Sequence, residues 1–155
     1  MKYQIAQLNI AKGLGDMESE IMAPFVAELD RINELAEQSP GFVWRLMDES
    51  GNATSIDVFG DPRIIVNMSV WETPDHLFEF VYHSAHTGVM ARRREWFEAM
   101  KDAYNVLWWV PTGTEPTLED AKARLKNLRQ HGPTPHAFTF KKPFDPPMDS
   151  DEAVA

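Results

Sequence analysis

Residues 3–10, YQIAQLNI, alternate apolar and polar side chains, the pattern of a strand with one buried face. After the loop GLGDMESE, Pro24 suits the first turn of a helix because its ring already fixes a helical φ. Phe25, Leu29, Ile32 and Leu35 then recur at helical spacing, and Ser39-Pro40-Gly41 stops the run. FVWRLM (42–47) predicts a second strand. The turn-rich stretch DESGNATSIDVFGDP that follows is long for a hairpin connection, the length of a lid or mobile segment. The β-branched, alternating RIIVNMSVW (63–71) predicts a third strand. Thr73-Pro74, an N-cap and first-turn pair, opens a helical region to about residue 101, divided at Gly88. YNVLWWV (104–110) is a fourth strand, stopped by Pro111. Thr117 caps a last helix with Leu118, Ala121, Leu125 and Leu128 on one face, closed by Gly132-Pro133, and the arm HAFTFKKPF follows.

This order predicts an α+β fold of the ferredoxin-like split βαβ type, an antiparallel sheet with helices on one face. One domain is expected over residues 1–144, with 145–155 as a disordered, acidic, Pro-rich tail. Alternation sorts the strand residues onto two faces. Ala6, Leu8, Phe42, Trp44, Leu46, Ile64, Val66, Met68, Val70, Val106, Trp108 and Val110 form a wholly apolar set, expected under the helices. The opposite set mixes Ile5, Ile65, Trp71, Leu107 and Trp109 with Gln7, Asn9, Arg45, Asn67, Ser69 and Asn105. Apolar walls with a few convergent polar groups describe a small-molecule pocket, and a second subunit closing this face predicts a homodimer. The alternative is a solvated face with scattered apolar residues.

Composition narrows the function classes. The formal charge is −9 with 24 acidic and 15 basic residues, which argues against nucleic acid or an anionic membrane as partner. There are no cysteines, which removes thiol nucleophiles, disulfides and Cys-ligated metals. No apolar run is long enough to span a membrane and no secretion signal opens the chain, so a cytoplasmic protein is expected. Phosphate-binding glycine loops, the G-x-S-x-G elbow and H-E-x-x-H are absent.

The candidate chemistry centres on a few side chains. His83 and His86 lie three apart on one helix face, and either imidazole can take a proton near neutral pH or bind iron. A histidine merely hydrogen-bonded at a helix break is the competing reading. Glu79 with these histidines is a weak metal trio, so no metal site is assigned. Arg92, Arg93 and Arg94 point 100° apart on a helix and cannot all face one ligand; a solvated face paired with Glu95 and Glu98 is the simpler reading. Arg45, alone on a mostly uncharged face, is the better carboxylate or enolate clamp.

GFVWRL, NMSVWE, FVYHSAH, RRREWF, LWWVPTGTEPTLEDAKARL and HGPTPHAFTF resemble an uncharacterised bacterial family, a domain of unknown function. That family belongs to the dimeric α+β barrel superfamily, related to the antibiotic biosynthesis monooxygenases. The resemblance covers about residues 1–144 and implies ferredoxin-like protomers packed sheet to sheet with a pocket in each. More distant members take functional groups from an Asn on the first strand, a Trp in a V-W-E motif and a His on the next helix. It therefore implies Asn9 (or Gln7), Trp71 in Val70-Trp71-Glu72, and His86 (or His83) as catalytic candidates. The resulting expectation is a dimer that binds an aromatic or polyketide-like molecule and oxygenates it without cofactor. Asn9, Asn67 and Arg45 would stabilise the substrate anion, Trp71 and Trp109 would hold its ring, and Ser69, Asn105 and His83 would complete the pocket, with His86 moving the proton. The alternatives are haem held by His86 or His83, and a non-catalytic ligand-binding dimer.

Overall fold

The computed structural model describes residues 2–16, 18–47, 60–61, 63–83, 92–99 and 102–147, with the side chains of His83 and Arg93 left aside. Most of the expected lid (48–62), the division at Gly88, His86 and most of the acidic tail (148–155) lie outside the described residues.

The elements run β1 (Tyr3–Lys12), α1 (Ala23–Gln38), β2 (Phe42–Arg45), β3 (Ile64–Trp71), α2 (Pro74–His83), α3 (Arg93–Trp96), β4 (Asn105–Pro111) and α4 (Leu118–His131). The four strands form one antiparallel sheet in the order β2-β3-β1-β4, the ferredoxin-like arrangement. Among the described residues no helix is long and apolar enough to cross a membrane.

Local chemistry sets the boundaries largely where the sequence predicts them. Pro24 sits in the first turn of α1, and the Ser39 backbone N–H closes the helix by donating to the Ala36 carbonyl. Gly41 follows with φ +82°, and its carbonyl accepts the Glu72 N–H at 2.7 Å, tying the start of β2 to the end of β3. Thr117 Oγ1 accepts the Asp120 N–H at 3.1 Å, the N-cap expected of α4.

Three expectations are corrected. The helical region does not run to residue 101. After α3 the backbone is extended: Trp96 O accepts from Leu14 N–H, and Glu98 N–H donates to Lys12 O. This pairing lets the adjacent Trp96 and Phe97 both bury against Phe25, with ring centroids at 5.5 and 4.8 Å.

The second correction concerns the sheet's cover. The wholly apolar face is buried, with α4 packing Ala121, Leu125 and Leu128 onto it. The paired helices α1 and α2 lie over the mixed face instead. Ala36 of α1 and Leu77, Phe80 and Val81 of α2 pack there against Ile5, Trp71 and Leu107. Right-handed crossovers put α1 and α2 on the same side of the sheet, and alternation alone does not say which side. The mixed face is thus closed within one chain, so the argument for a second subunit to close it falls away.

Third, a β-bulge between Phe42 and Trp44 shifts the register of β2. One extra residue lets Phe42 and Arg45 share the mixed face, and Phe42 packs edge-on against Trp71 at 5.5 Å rather than lying on the apolar face.

The arm after α4 lines the free edge of β4. Phe138 and Leu107 exchange two backbone hydrogen bonds of 2.8 and 2.9 Å. Ala137 joins the α4 side of the core and Phe138 the α1/α2 side, and the chain then continues over the mixed face.

Candidate functional site

Between the mixed face and helices α1 and α2 lies a cavity of about 440 Å³, rimmed by Thr139, Phe140 and Lys141 of the arm. That volume falls in the range of small-molecule sites.

Strand register arranges the mixed face beneath it in rows, three of which carry its polar and aromatic side chains. Asn9 of β1 is flanked by Asn67 of β3 and Asn105 of β4, so three carboxamides stand side by side. The next row holds Arg45, Ser69, Gln7 and Leu107. The third is aromatic and apolar: Phe42, Trp71, Ile5 and Trp109. Trp71 is almost fully buried and stacks on Phe80 of α2 at 5.1 Å with 28° between planes. From the amide row to the third row the floor grades from polar, Arg45 included, to aromatic, while Ala11 and Ile65 close its other end with apolar side chains.

A hydrogen-bond chain knits the polar rows. Asn105 Nδ2 donates to the Leu8 carbonyl at 3.1 Å and to Gln7 Oε1 at 3.2 Å. Gln7 Nε2 donates to Asn67 Oδ1 at 2.7 Å and to Ser69 Oγ at 2.9 Å. Trp71 Nε1 also donates to Ser69 Oγ, at 2.9 Å. Gln7 and Ser69 are both buried, and these bonds keep their polar atoms from being stranded. Asn9 has no side-chain hydrogen bond among the described residues, and its amide faces the cavity with both its donors and its acceptor available.

Six of the residues singled out from sequence line this one cavity: Asn9, Arg45, Asn67, Ser69, Trp71 and Asn105. Trp109 does not. The arm intervenes, with Phe138 beside the indole (6.4 Å between centroids) and the Phe144 carbonyl accepting its Nε1–H at 2.9 Å. Trp109 anchors the arm rather than lining the pocket. Arg45 lines the cavity but is not alone: its Nε donates to Glu37 Oε1 of α1 at 3.0 Å, and its Nη2 lies 3.0 Å from the same oxygen in an ion pair. Part of its charge is thereby answered, while Nη1 keeps its two hydrogens. His86 lies outside the described residues, and His83 ends α2 with its side chain likewise undescribed.

The hub of the network, Gln7, was weighed in the sequence only as an alternative to Asn9. The signal was its place on the mixed face of β1; what the sequence withholds is that β1 is central, so that a long amide there reaches both neighbouring strands. The helix-side wall consists of Phe25, Leu29 and Ile32 of α1 and Leu77 of α2; helical spacing marks the first three as one apolar face without saying that they border a cavity.

Of the arginine run, Arg92 pairs with Glu95 at 2.9 Å and lies 4.6 Å above the Trp96 ring. The hydrogen bond that Arg92 donates to Glu95 holds the guanidinium above its ordinary pKa, and the same bond keeps the Glu95 carboxyl below its own. Arg92 is exposed just before α3 and paired with an acidic neighbour, as the simpler reading had it. Among the described residues no group of three His, Cys, Asp or Glu could hold a metal ion, and none of the described lining residues is a histidine.

Two solved structures are similar to this chain. One is SnoaB, a cofactor-independent oxygenase from Streptomyces nogalater, at 15% identity and a TM-score of 0.48, covering 74% of this chain and 96% of that one. The other is the NE2512 protein of unknown function from Nitrosomonas europaea, at 9% identity and a TM-score of 0.47, covering 74% and 94%. No curated protein matches the chain. The family model "Domain of unknown function (DUF3291)" matches residues 4–154. The chain belongs to the DUF3291 family.

Proposed function

We propose that this protein binds a flat, mainly apolar molecule carrying oxygen functions at one edge, of the aromatic or polyketide-like class, and oxygenates it without metal or flavin. The observation that carries the reading is the graded floor. A ring system packs on Trp71, Phe80 and Phe42, while its oxygen-bearing edge meets the carboxamides of Asn9, Asn67 and Asn105. Burial of the aromatic end supplies affinity, and the fixed amides select orientation.

Of these, the Asn9 and Asn67 amides suit an anion, because their N–H groups are unspent among the described residues, while both Asn105 N–H groups are used within the network. N–H donors held in place by a sheet stabilise a phenolate or enolate without the reorganisation that water would need. A substrate anion so held can pass an electron to O₂ itself, which is why no bound redox group enters the reading. The proton acceptor assigned here is His86, on the chemistry of imidazole near neutral pH.

The test is oxygen uptake by metal-stripped protein across a panel of naphthols and hydroxyanthrones. The reading expects uptake with at least one anionic aromatic, abolished by Trp71→Ala and lost without loss of binding in His86→Ala. Binding without uptake for every member of the panel would leave a ligand-binding protein and refute the oxygenase.

A further inference from the structure

The hydrogen-bond chain under the cavity has a direction, and that direction assigns a role to Ser69. At one end the Leu8 carbonyl can only accept, so the side-chain atom of Asn105 that meets it at 3.1 Å is the amide nitrogen. The same nitrogen lies 3.2 Å from the Gln7 side chain, so Gln7 turns its oxygen to Asn105 and its nitrogen to β3. A second acceptor-only group agrees: Gln7 Nε2 also lies 3.4 Å from the Asn67 carbonyl. At the other end the Trp71 indole N–H can only donate, and it meets Ser69 Oγ at 2.9 Å.

Ser69 Oγ therefore receives two hydrogens, one from Gln7 and one from Trp71, and both its lone pairs are used. Its own hydrogen finds no acceptor among the described residues. Ser69 is only 7% exposed, and it lines the cavity. A buried hydroxyl with both lone pairs occupied satisfies its donor only through whatever fills that cavity.

We propose that Ser69 is a specificity-determining residue: its hydroxyl donates to an acceptor oxygen of the ligand, a ketone or quinone carbonyl or a phenolate. Gln7 is a positioning residue, because in this orientation it offers Ser69 a donor and no acceptor, which leaves that hydroxyl free for the ligand. The inference rests on the ligand-binding reading above and deepens it. The site takes molecules whose polar atom beside Trp71 is an acceptor, and disfavours those offering hydrogen there.

The test uses two probes of nearly one shape, 1-tetralone with a carbonyl and tetralin without, titrated against the full chain by calorimetry. Wild type is expected to favour the ketone. Ser69→Ala is expected to lower the ketone-to-hydrocarbon affinity ratio by about tenfold, the worth of one net neutral hydrogen bond at the upper end. Gln7→Glu offers Ser69 a carboxylate to donate to, turning its hydroxyl away from the cavity, and lowers the ratio equally with Ser69 intact. Gln7→Met, which offers no such acceptor, preserves the ratio.

A purely structural role for Gln7 would move the two Gln7 variants together, and that result overturns the assignment. So do equal wild-type affinities for both probes, or a ratio unchanged in Ser69→Ala and Gln7→Glu. If Ser69→Ala fails to fold, having stranded the Gln7 and Trp71 donors, the two Gln7 variants decide the matter alone. Failure of wild type to bind either probe would instead remove the ligand-binding reading itself, and the Ser69 assignment with it.

Discussion

Replacing Gln7 by Met separates a satisfied polar network from a merely tolerated one. The thioether matches the amide in length but makes none of its bonds. The change removes the Gln7 contacts to Asn67 Oδ1 (2.7 Å) and Ser69 Oγ (2.9 Å) and the one accepted from Asn105 (3.2 Å). Each is worth about 0.5–1.5 kcal/mol net. The partners are not left bare. Ser69 keeps Trp71, Asn105 keeps the Leu8 carbonyl, and the Asn67 amide is exposed enough to find water. The penalty is thus the lost bonds without a further desolvation cost, and burying an apolar end group in place of an amide returns roughly 1 kcal/mol. The net loss expected is about 0.5–3.5 kcal/mol.

Asn9→Met is the internal control, on the same face two residues along β1. Asn9 has no side-chain hydrogen bond to lose among the described residues, so the change should fall within about 0.5 kcal/mol of neutral. Urea unfolding followed by circular dichroism measures both, compared at equal m-value so that only the midpoint carries the difference. Equal midpoints for the two variants, or a Gln7→Met midpoint at the wild-type value, would refute the claim that Gln7 holds the network together.

Other consequences are as definite. Gly41→Ala forces a side chain onto φ +82° and sets its Cβ 2.2 Å from the His76 ring; the backbone term alone is about 1–2 kcal/mol, so thermal unfolding should drop by several degrees, and an unchanged transition would contradict the β2–α2 contact. The Asp61 carboxyl is held below its ordinary pKa by the Arg63 backbone N–H and by Lys12. Its contribution to stability is therefore present above the unfolded carboxylate pKa of about 3.9 and lost as pH falls through the lowered folded value. Asp61→Asn should flatten the stability-versus-pH curve below about pH 4, as seen in unfolding curves collected across that range. Because α1, α2 and the arm close the cavity within one chain, ligand affinity should not vary with protein concentration. An affinity that rises as the protein is concentrated, followed together with light scattering, would show that a second copy completes the site.

How far the sequence reached is best seen on the sheet. Period-two alternation put Asn9, Asn67, Asn105, Ser69 and Trp71 on one face before any coordinates, because a strand of L-residues has no other option. It did not say what lay above that face. Ile5, Leu107 and Trp71 on one side and Leu8, Met68 and Trp108 on the other are all buried, so each face has apolar residues enough to take helices, and the choice is tertiary. Phe42 was misplaced for a related reason: FVWRLM is apolar in both phases, so a one-residue bulge leaves no mark on its pattern. Trp109 is misplaced because its fate depends on the path of an arm that reaches it only through Phe138 and Phe144, far along the chain. Gln7 stands in the sequence only as an alternative to Asn9 because a hub is defined by its neighbours, and the strand order β2-β3-β1-β4 that makes β1 central is not written in β1.

The most direct test of the account is nuclear magnetic resonance of the side-chain amides, with 1-tetralone added to ¹⁵N-labelled protein. The account expects saturable shifts of the Gln7, Asn9, Asn67 and Asn105 carboxamides and of the Trp71 indole N–H, with the Trp108 indole, on the opposite face of the sheet, unmoved. Shifts confined to residues outside the cavity, or no saturable shift at all, would contradict the claim that this cavity is a ligand site.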